Sequence, residues 1–503
     1  MKSLYIFTLI LILLTFSSLA YPIQKAAETE RPAQSSSEQT YIENASITHH
    51  TLNINGQLLS YTATAAYMPL KNEANKPIAK IFFIAYTQDN QKTNSQKPIT
   101  FAFNGGPGSS SIWLHMGALG PQRVELSNDG TTLPKSYKLI DNEYTWLDFT
   151  DIVFVDPVGT GYSRVSEDAN AQQFYNMDED VKIMGEFVRL YVTEYQRWLS
   201  PKYIAGESYG TTRAVVLADQ LQSKHGMLIE GLVLISTALN FETFSFDRGN
   251  DLSYVLIIPS YTAAAWYHDK LSGDLQVLLQ KAKDWTIDEY MPALAKGSSL
   301  SDSEHKKIIK TLSYYSGLSE SYIENNQMRI PSYQFTAELL HEASFIIGQL
   351  DSRVKIPYIQ TVSGYPSNDP SLFIVEGPFV AVFNNYIRNN LNFKTDIPYN
   401  FLSDKINESW TWSKGKQGYV NVTESLTQAL SFNEHLRVFV ASGYFDLTTP
   451  WLSQEYTLTH LILKPVLHKN ITHKFYESGH QIYTSTDALE KLTQDVSSFF
   501  QHQ

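Results

Sequence analysis

Five residues, Gly206-Glu207-Ser208-Tyr209-Gly210, constrain the fold of this chain more than any other stretch. The spacing G-x-S-x-G asks for a sharp turn from a strand into a helix, with the serine hydroxyl raised at the sheet edge. Glycines flank the turn because its tight backbone leaves no room for a Cβ beside the serine. So short a pattern arises by chance, and its surroundings decide. Lys202-Tyr203-Ile204-Ala205 in front of it predicts a short buried strand. Thr211 to Leu221 behind it predicts a helix with one apolar face. Strand, tight turn and helix in that order predict an α/β architecture and make Ser208 a candidate nucleophile. A glycine-flanked serine in an ordinary turn would not need that setting.

The other apolar runs extend the same architecture. Thr51–Ile54 and Leu58–Thr62 flank Asn55-Gly56 and predict a hairpin. Ile81–Tyr86 and Ile99–Phe103 predict two strands separated by a polar loop of Asn, Gln and Lys. Ile152–Val155 and Leu232–Ile235 are short continuous apolar runs, as strands covered on both faces show. Asp178 to Leu199 predicts a helix with acidic residues in its first turn. Strands alternating with helices imply a mostly parallel central sheet. From about Asn240 to Ser431 the rhythm changes to helix-like, aromatic sequence punctuated by Pro, Tyr and Trp. It resumes with strands at Val438–Ala441 and His473–Tyr476 and an amphipathic helix from Asp487 to Phe500. The expected organisation is a core over 41–239 and 432–503, with a mainly helical lid inserted over 240–431.

With 503 residues the chain can hold one large domain with such an insertion. Met1-Lys2, an apolar run from Leu4 to Leu14 and small residues through Ala20 predict a signal peptide over 1–20, cleaved before Tyr21. A polar leader over 21–40 without apolar period follows. The expected location is therefore periplasmic or extracellular, with no membrane span left after cleavage. The chain has no cysteine, which excludes disulfides, a thiol nucleophile and thiolate metal sites. The sequons at Asn44, Asn407, Asn421 and Asn470 would carry glycans only in a eukaryotic secretory route, and the missing disulfides lean against one. A formal charge of −12 without any Lys/Arg-rich run argues against nucleic acid as a partner. The oligomeric state stays open, a homodimer included.

A serine nucleophile needs a base to take its proton and an acid to orient that base. In the strand–turn–helix setting the order along the chain is Ser, then Asp or Glu, then His. Two late segments offer a strand followed by a glycine and the needed residue. One runs from Val438 through Gly443 to Asp446, the other from Phe475 through Gly479 to His480. His268 and His341 fall in the expected lid, His473 falls inside a strand, and His435, His460 and His468 follow no strand and glycine. Backbone N–H donors for a developing alkoxide come from a glycine-rich loop after a strand. Phe103-Asn104-Gly105-Gly106-Pro107-Gly108-Ser109 fits, and Gly106 with Tyr209 supplies the two expected donors. A phosphate-cradling loop is the alternative, but no G-K-[ST] ending supports it.

Together, Asn104-Gly105-Gly106-Pro107-Gly108-Ser109-Ser110, Asp156-Pro157-Val158-Gly159-Thr160-Gly161-Tyr162-Ser163, Gly206–Gly210, Asp446 and Ser478-Gly479-His480 resemble the serine carboxypeptidase family, in its order and over roughly 100 to 480. The cysteine-free composition resembles a bacterial-type member. The resemblance implies an α/β-hydrolase fold and removal of single residues from peptide C-termini, often at acid pH. It further implies that Asn104, Gly105 and Glu207 bind the substrate's terminal carboxylate. The chain departs from the family at Ala118-Leu119-Gly120-Pro121, where an acid usually precedes L-G-P. It departs again at Phe103, where a tryptophan usually precedes N-G-G, and in lacking the family's disulfides.

The implied mechanism has Ser208 attacking the last peptide carbonyl of a peptide substrate, with His480 as base and then acid and Asp446 holding the imidazole. No metal or organic cofactor is required. An ionised Glu207 would repel a carboxylate, so peptide binding is expected to want it protonated. Two other readings remain at this point: an esterase or acyltransferase on the same scaffold, and a non-catalytic secreted binding or protective protein.

Overall fold

Alternating apolar strands and helices find one another in a single ten-stranded sheet. The computed structural model describes residues 42–54, 56–89, 97–357, 369–412 and 418–501. The expected signal peptide and leader, Asn55 of the hairpin turn and the polar loop at 90–96 lie outside those residues. The strands are β1 (Glu43–Ile54), β2 (Gln57–Lys71), β3 (Pro77–Gln88), β4 (Ile99–Phe103), β5 (Asp151–Val155), β6 (Lys202–Glu207), β7 (Gly231–Ile235), β8 (Arg437–Gly443) and β9 (Ile471–Tyr476). Their order across the sheet is β1-β2-β3-β5-β4-β6-β7-β8-β9, and the short Arg164–Val165 strand pairs with β3. The β1–β2 and β2–β3 pairs are antiparallel, as is β3–β5. From β5 to β9 every pair is parallel. This is the α/β-hydrolase arrangement.

All five residues of β4, β5 and β7 are buried, because helices cover both faces. The pleat divides each strand between two apolar clusters. Phe101, Phe103 and Ile204 join a cluster with Phe187 and Leu217 of the helices Met177–Glu194 and Tyr209–His225. Ala102, Tyr203 and Ala205 join the opposite cluster, with Leu492 and Phe500 of the Thr486–Gln501 helix. The parallel strands end on one edge, and the Ser208, Asp446 and His480 segments all leave the sheet there.

The Met177–Glu194 helix is opened by Asn176, whose side chain accepts from Glu179 N at 3.0 Å, and by an acidic first turn. It stops at Glu194, five residues short of the expected Leu199. The reason is tertiary: the chain turns at Gln196 (φ 53°) so that Arg197 reaches inward. Arg197 donates to Asp151 Oδ2 at 2.6 Å and to the Lys97 carbonyl at 2.8 Å, both buried. No periodicity announces such a pull.

Between β7 and β8 the chain is mainly helical, and its parts join different clusters. The helices from Asp251 to Glu338 share an apolar cluster of Val255, Leu279, Leu312 and Phe335 that closes on Phe445 and Trp451 beyond β8. The Pro370–Asn389 helix contributes Phe379 and Phe383 to one face of the sheet. The Thr423–Phe432 helix contributes Leu426 and Leu430 to the other. Two short strands, Phe345–Ile347 and Lys355–Pro357, pair with each other.

Candidate active site

β6 ends at Glu207 and the next helix begins at Tyr209, so Ser208 alone makes the turn, with φ 58° and ψ −128°. A serine at positive φ costs of order 1–3 kcal/mol and persists only where its surroundings enforce it. Here they do. The Ser208 amide donates to the Ile235 carbonyl at 3.0 Å, and Thr211 N returns a bond to the Ser208 carbonyl at 2.9 Å. A Cβ on Gly206 would lie 2.3 Å from the Gly210 carbonyl oxygen, and one on Gly105 would lie 2.6 Å from Tyr209 N. Both glycines are thus demanded by close backbone approach. The Gly105 backbone abuts the Tyr209 amide, an N-terminal helix N–H with no intrahelical partner.

His480 comes in from the loop after β9. Its amide donates to the Leu350 carbonyl at 2.7 Å, and its carbonyl accepts from Ser236 Oγ at 2.7 Å. Ser236 directly follows β7, whose last carbonyl holds the Ser208 amide, so the end of β7 anchors both residues. His480 Nδ1 stands 2.7 Å from Asp446 Oδ2, with both side chains buried. Asp446 accepts further bonds from Thr448 N at 2.8 Å, Thr449 N at 3.0 Å and Thr449 Oγ1 at 2.7 Å. These donors fix the carboxyl group in place, and through its bond to Nδ1 it fixes the orientation of the imidazole. Burial pulls the His480 pKa down, but the Asp446 carboxylate, its hydrogen bond, Glu207 and Asp369 together hold it above its ordinary value. Among the described residues the ring bonds reach Asp446 and Thr449, not Ser208. A base–nucleophile contact commonly tightens only around substrate.

Beside the elbow lies a second polar group. Leu114 N donates to Asn104 Oδ1 at 3.0 Å, which turns Asn104 Nδ2 onto Glu207 Oε1 at 3.1 Å. Burial raises the Glu207 pKa from 4.5 to about 7, opposed by His480, Tyr483 and Asn104 and assisted by the Asp446 charge. Glu207 therefore holds its proton in weakly acidic water. The loop carrying Asn104 is braced from below: Arg213 Nη1 donates to the Asn104 carbonyl at 2.7 Å, and Arg213 Nε donates to Asp180 Oδ2 at 2.8 Å. Asp180 also accepts from the Tyr209 hydroxyl at 3.2 Å.

The eight residues expected from the sequence thus fall in one neighbourhood around the ends of β4, β6, β8 and β9. Ser208, Asp446, His480, Asn104, Gly105, Gly106, Glu207 and Tyr209 all belong to it. Thr449, Tyr483 and the Asp180–Arg213 pair were not foreseen; Thr449 and Tyr483 each lie three residues past a candidate triad residue, and none of the four belongs to a motif. Ala118 is buried in the short helical turn His115–Leu119 and brings a methyl group only. Arg123, the nearest cation along the chain, sits 6.0 Å over the Tyr144 ring, and the carboxylates acting on it are Glu143 and Glu125. His268 bonds the Ser352 carbonyl at 2.7 Å, and His473 bonds Ser442 Oγ at 2.7 Å inside β9.

Comparison with known proteins places the whole chain. The kex1 pheromone-processing carboxypeptidase of Aspergillus niger is 33% identical over 172 residues, 34% of this chain. The match covers only 25% of that protein, so the chain spans about a quarter of the length of the first such relatives. The serine carboxypeptidase-like 36 protein of Arabidopsis thaliana is 24% identical over 75% of this chain and 67% of its own length. The crystal structure of Kex1(delta)p, a prohormone-processing carboxypeptidase from Saccharomyces cerevisiae, shares the fold with a TM-score of 0.52 at 15% identity, covering 87% of this chain and 91% of that one. A model of the family described as serine carboxypeptidase matches residues 53–496. The match takes in every strand from β2 to β9 and all eight site residues, and the chain belongs to the serine carboxypeptidase family.

Proposed function

We propose that this protein is an exported serine-type carboxypeptidase that releases C-terminal residues from peptides through an acyl-enzyme. Ser208 Oγ attacks the last peptide carbonyl. His480 accepts the serine proton and passes it to the leaving amine, while Asp446 holds the ring tautomer and steadies its cation. The N–H groups of Gly106 and Tyr209 receive the oxyanion. Water then resolves the ester, with His480 again as base. The observation that carries the exopeptidase reading is Glu207, a buried carboxyl next to the nucleophile whose pKa of about 7 lets it donate to a carboxylate. Asn104 and Gly105 complete that recognition. The stretch between β7 and β8 serves as a lid over the cleft. This is supported by Gly108, whose Cβ would lie 2.8 Å from the Ser403 carbonyl.

The test is release of the terminal amino acid from an N-blocked dipeptide, set against the same peptide with an amidated C-terminus. Equal hydrolysis of both would refute carboxylate recognition. Ala118 favours one second reading, an esterase or acyltransferase, because it removes an acid from that pocket. Faster turnover of a simple ester with no release from the dipeptide would establish it. Export rests on the sequence of residues 1–20, and among the described residues no helix is long and apolar enough to cross a membrane. N-terminal sequencing of the mature protein should begin at or near Tyr21; a chain starting at Met1 in the cytoplasm would contradict it. The bacterial-type placement rests on the cysteine-free composition alone.

A further inference from the structure

Two buried polar atoms beside the nucleophile, Glu207 Oε2 and the Tyr483 hydroxyl, make no hydrogen bond of good geometry to a described residue. Buried polar groups normally find partners, and an orphan in a cleft points to a partner that arrives with a ligand. The two are close enough to act on each other, and Gln481 and Asn104 also act on the Tyr483 hydroxyl, but none of these contacts has the geometry of a full hydrogen bond. Tyr483 lies three residues past His480 in a short 3₁₀ turn, 3% exposed. Its ring is seated on Gly117: a Cβ there would lie 2.5 Å from Tyr483 Cε2 and 3.1 Å from Phe379 Cζ. Gly117 is thus the residue that leaves space for a phenol at this point.

We propose that Tyr483 is a substrate-binding residue whose hydroxyl donates to one oxygen of the peptide's terminal carboxylate, beside Glu207 and Asn104. The idea rests on the carboxypeptidase reading above and extends it to a residue outside the motifs. A phenol stays protonated at every working pH here, because burial and the adjacent carboxyl push its pKa well above the ordinary value. It is a donor facing an acceptor-only ligand, and a bond from a neutral donor to a carboxylate is charge-assisted. A substrate lacking the carboxylate leaves the hydroxyl unpaired, which is how a polar site rejects it.

Tyr483→Phe removes the hydroxyl and keeps the ring on Gly117. For an N-blocked dipeptide, KM should rise about 10- to 100-fold with kcat changed no more than about threefold, the loss of one bond to a charged group. Hydrolysis of p-nitrophenyl acetate, which has no carboxylate, should stay at the wild-type rate, and so should labelling of Ser208 by a fluorophosphonate. Inhibition of that ester hydrolysis by N-acetylphenylalanine should weaken by the same factor as KM. Gly117→Ala, which displaces the ring, should reproduce both shifts. Unchanged KM and unchanged inhibition in Tyr483→Phe would overturn the proposal, as would equal loss of ester hydrolysis, which would place Tyr483 with the triad. If wild-type protein releases no amino acid yet N-acetylphenylalanine inhibits it through Tyr483, the peptidase reading fails and the carboxylate contact stands.

Discussion

Glu207 and His480 each act on the other's titration, so their protons come off as a coupled pair. The base must be neutral to activate Ser208, and the raised His480 pKa puts that loss of proton above the ordinary imidazole value. Peptide binding wants the opposite, a proton on Glu207, which leaves at about pH 7. The dipeptide kcat/KM should therefore be bell-shaped, with His480 on the acid limb and Glu207 on the alkaline limb. Glu207→Gln should remove the alkaline rise in KM, because an amide donates at any pH. A KM profile left unchanged by that substitution would exclude Glu207 as the carboxylate partner. Ser208→Ala should lower kcat by on the order of 10⁴-fold or more without altering the circular dichroism spectrum. Asp446→Asn and His480→Ala should be severely impaired too, with losses that do not add to it.

At the scale of elements, the glycine-rich loop after β4 is held by more than its own glycines. Arg213, on the helix after the elbow, clamps the Asn104 carbonyl while paired with Asp180 on the helix before it. Both side chains are buried, so removing one partner strands a charge in an apolar interior. Arg213→Met should destabilise the protein by about 3–5 kcal/mol in urea unfolding. It should also lower kcat on esters, which Glu207→Gln should not. Asp180→Asn in the same chain should recover part of the stability, and stability no better than in Arg213→Met alone would dissolve the pair as an energetic unit. The elbow glycines could be read from the sequence because their constraint is local. The Asp180–Arg213 clamp could not, since a helix charge most often faces water and only the packing of two helices shows that these do not.

For the whole molecule, the raised pKa values also govern stability. Below about pH 4.5 Glu207 carries its proton in folded and unfolded chains alike, and the native state keeps it up to about pH 7. The native state binds the proton more tightly, so this stabilisation is full at low pH and is lost as pH rises through 7. It amounts to on the order of 3 kcal/mol for a shift of that size. His480, also raised, acts in the same direction above its unfolded value of 6.5. Denaturant midpoints should thus fall between pH 5 and pH 8, and Glu207→Gln should make that fall shallower. A midpoint that rises over this range in wild-type protein, or a fall no shallower in the variant, would contradict the assignment.

The sequence by itself determined the mostly parallel sheet and the strand–turn–helix around Ser208, and it pointed to the loops that carry Asn104, Asp446 and His480. Apolar runs, tight-turn glycines and chain order are all local or nearly local signals, and strand periodicity carries them across the sheet. Tertiary structure alone decided the rest. Packing raises the Glu207 pKa, because burial is a property of the folded interior and not of a residue type. It ended the Met177–Glu194 helix early to bring Arg197 onto Asp151, and it set the Tyr483 hydroxyl against Glu207 from 276 positions away along the chain. Such contacts depend on which faces meet, and a linear pattern of apolar and polar residues specifies the faces without naming their partners.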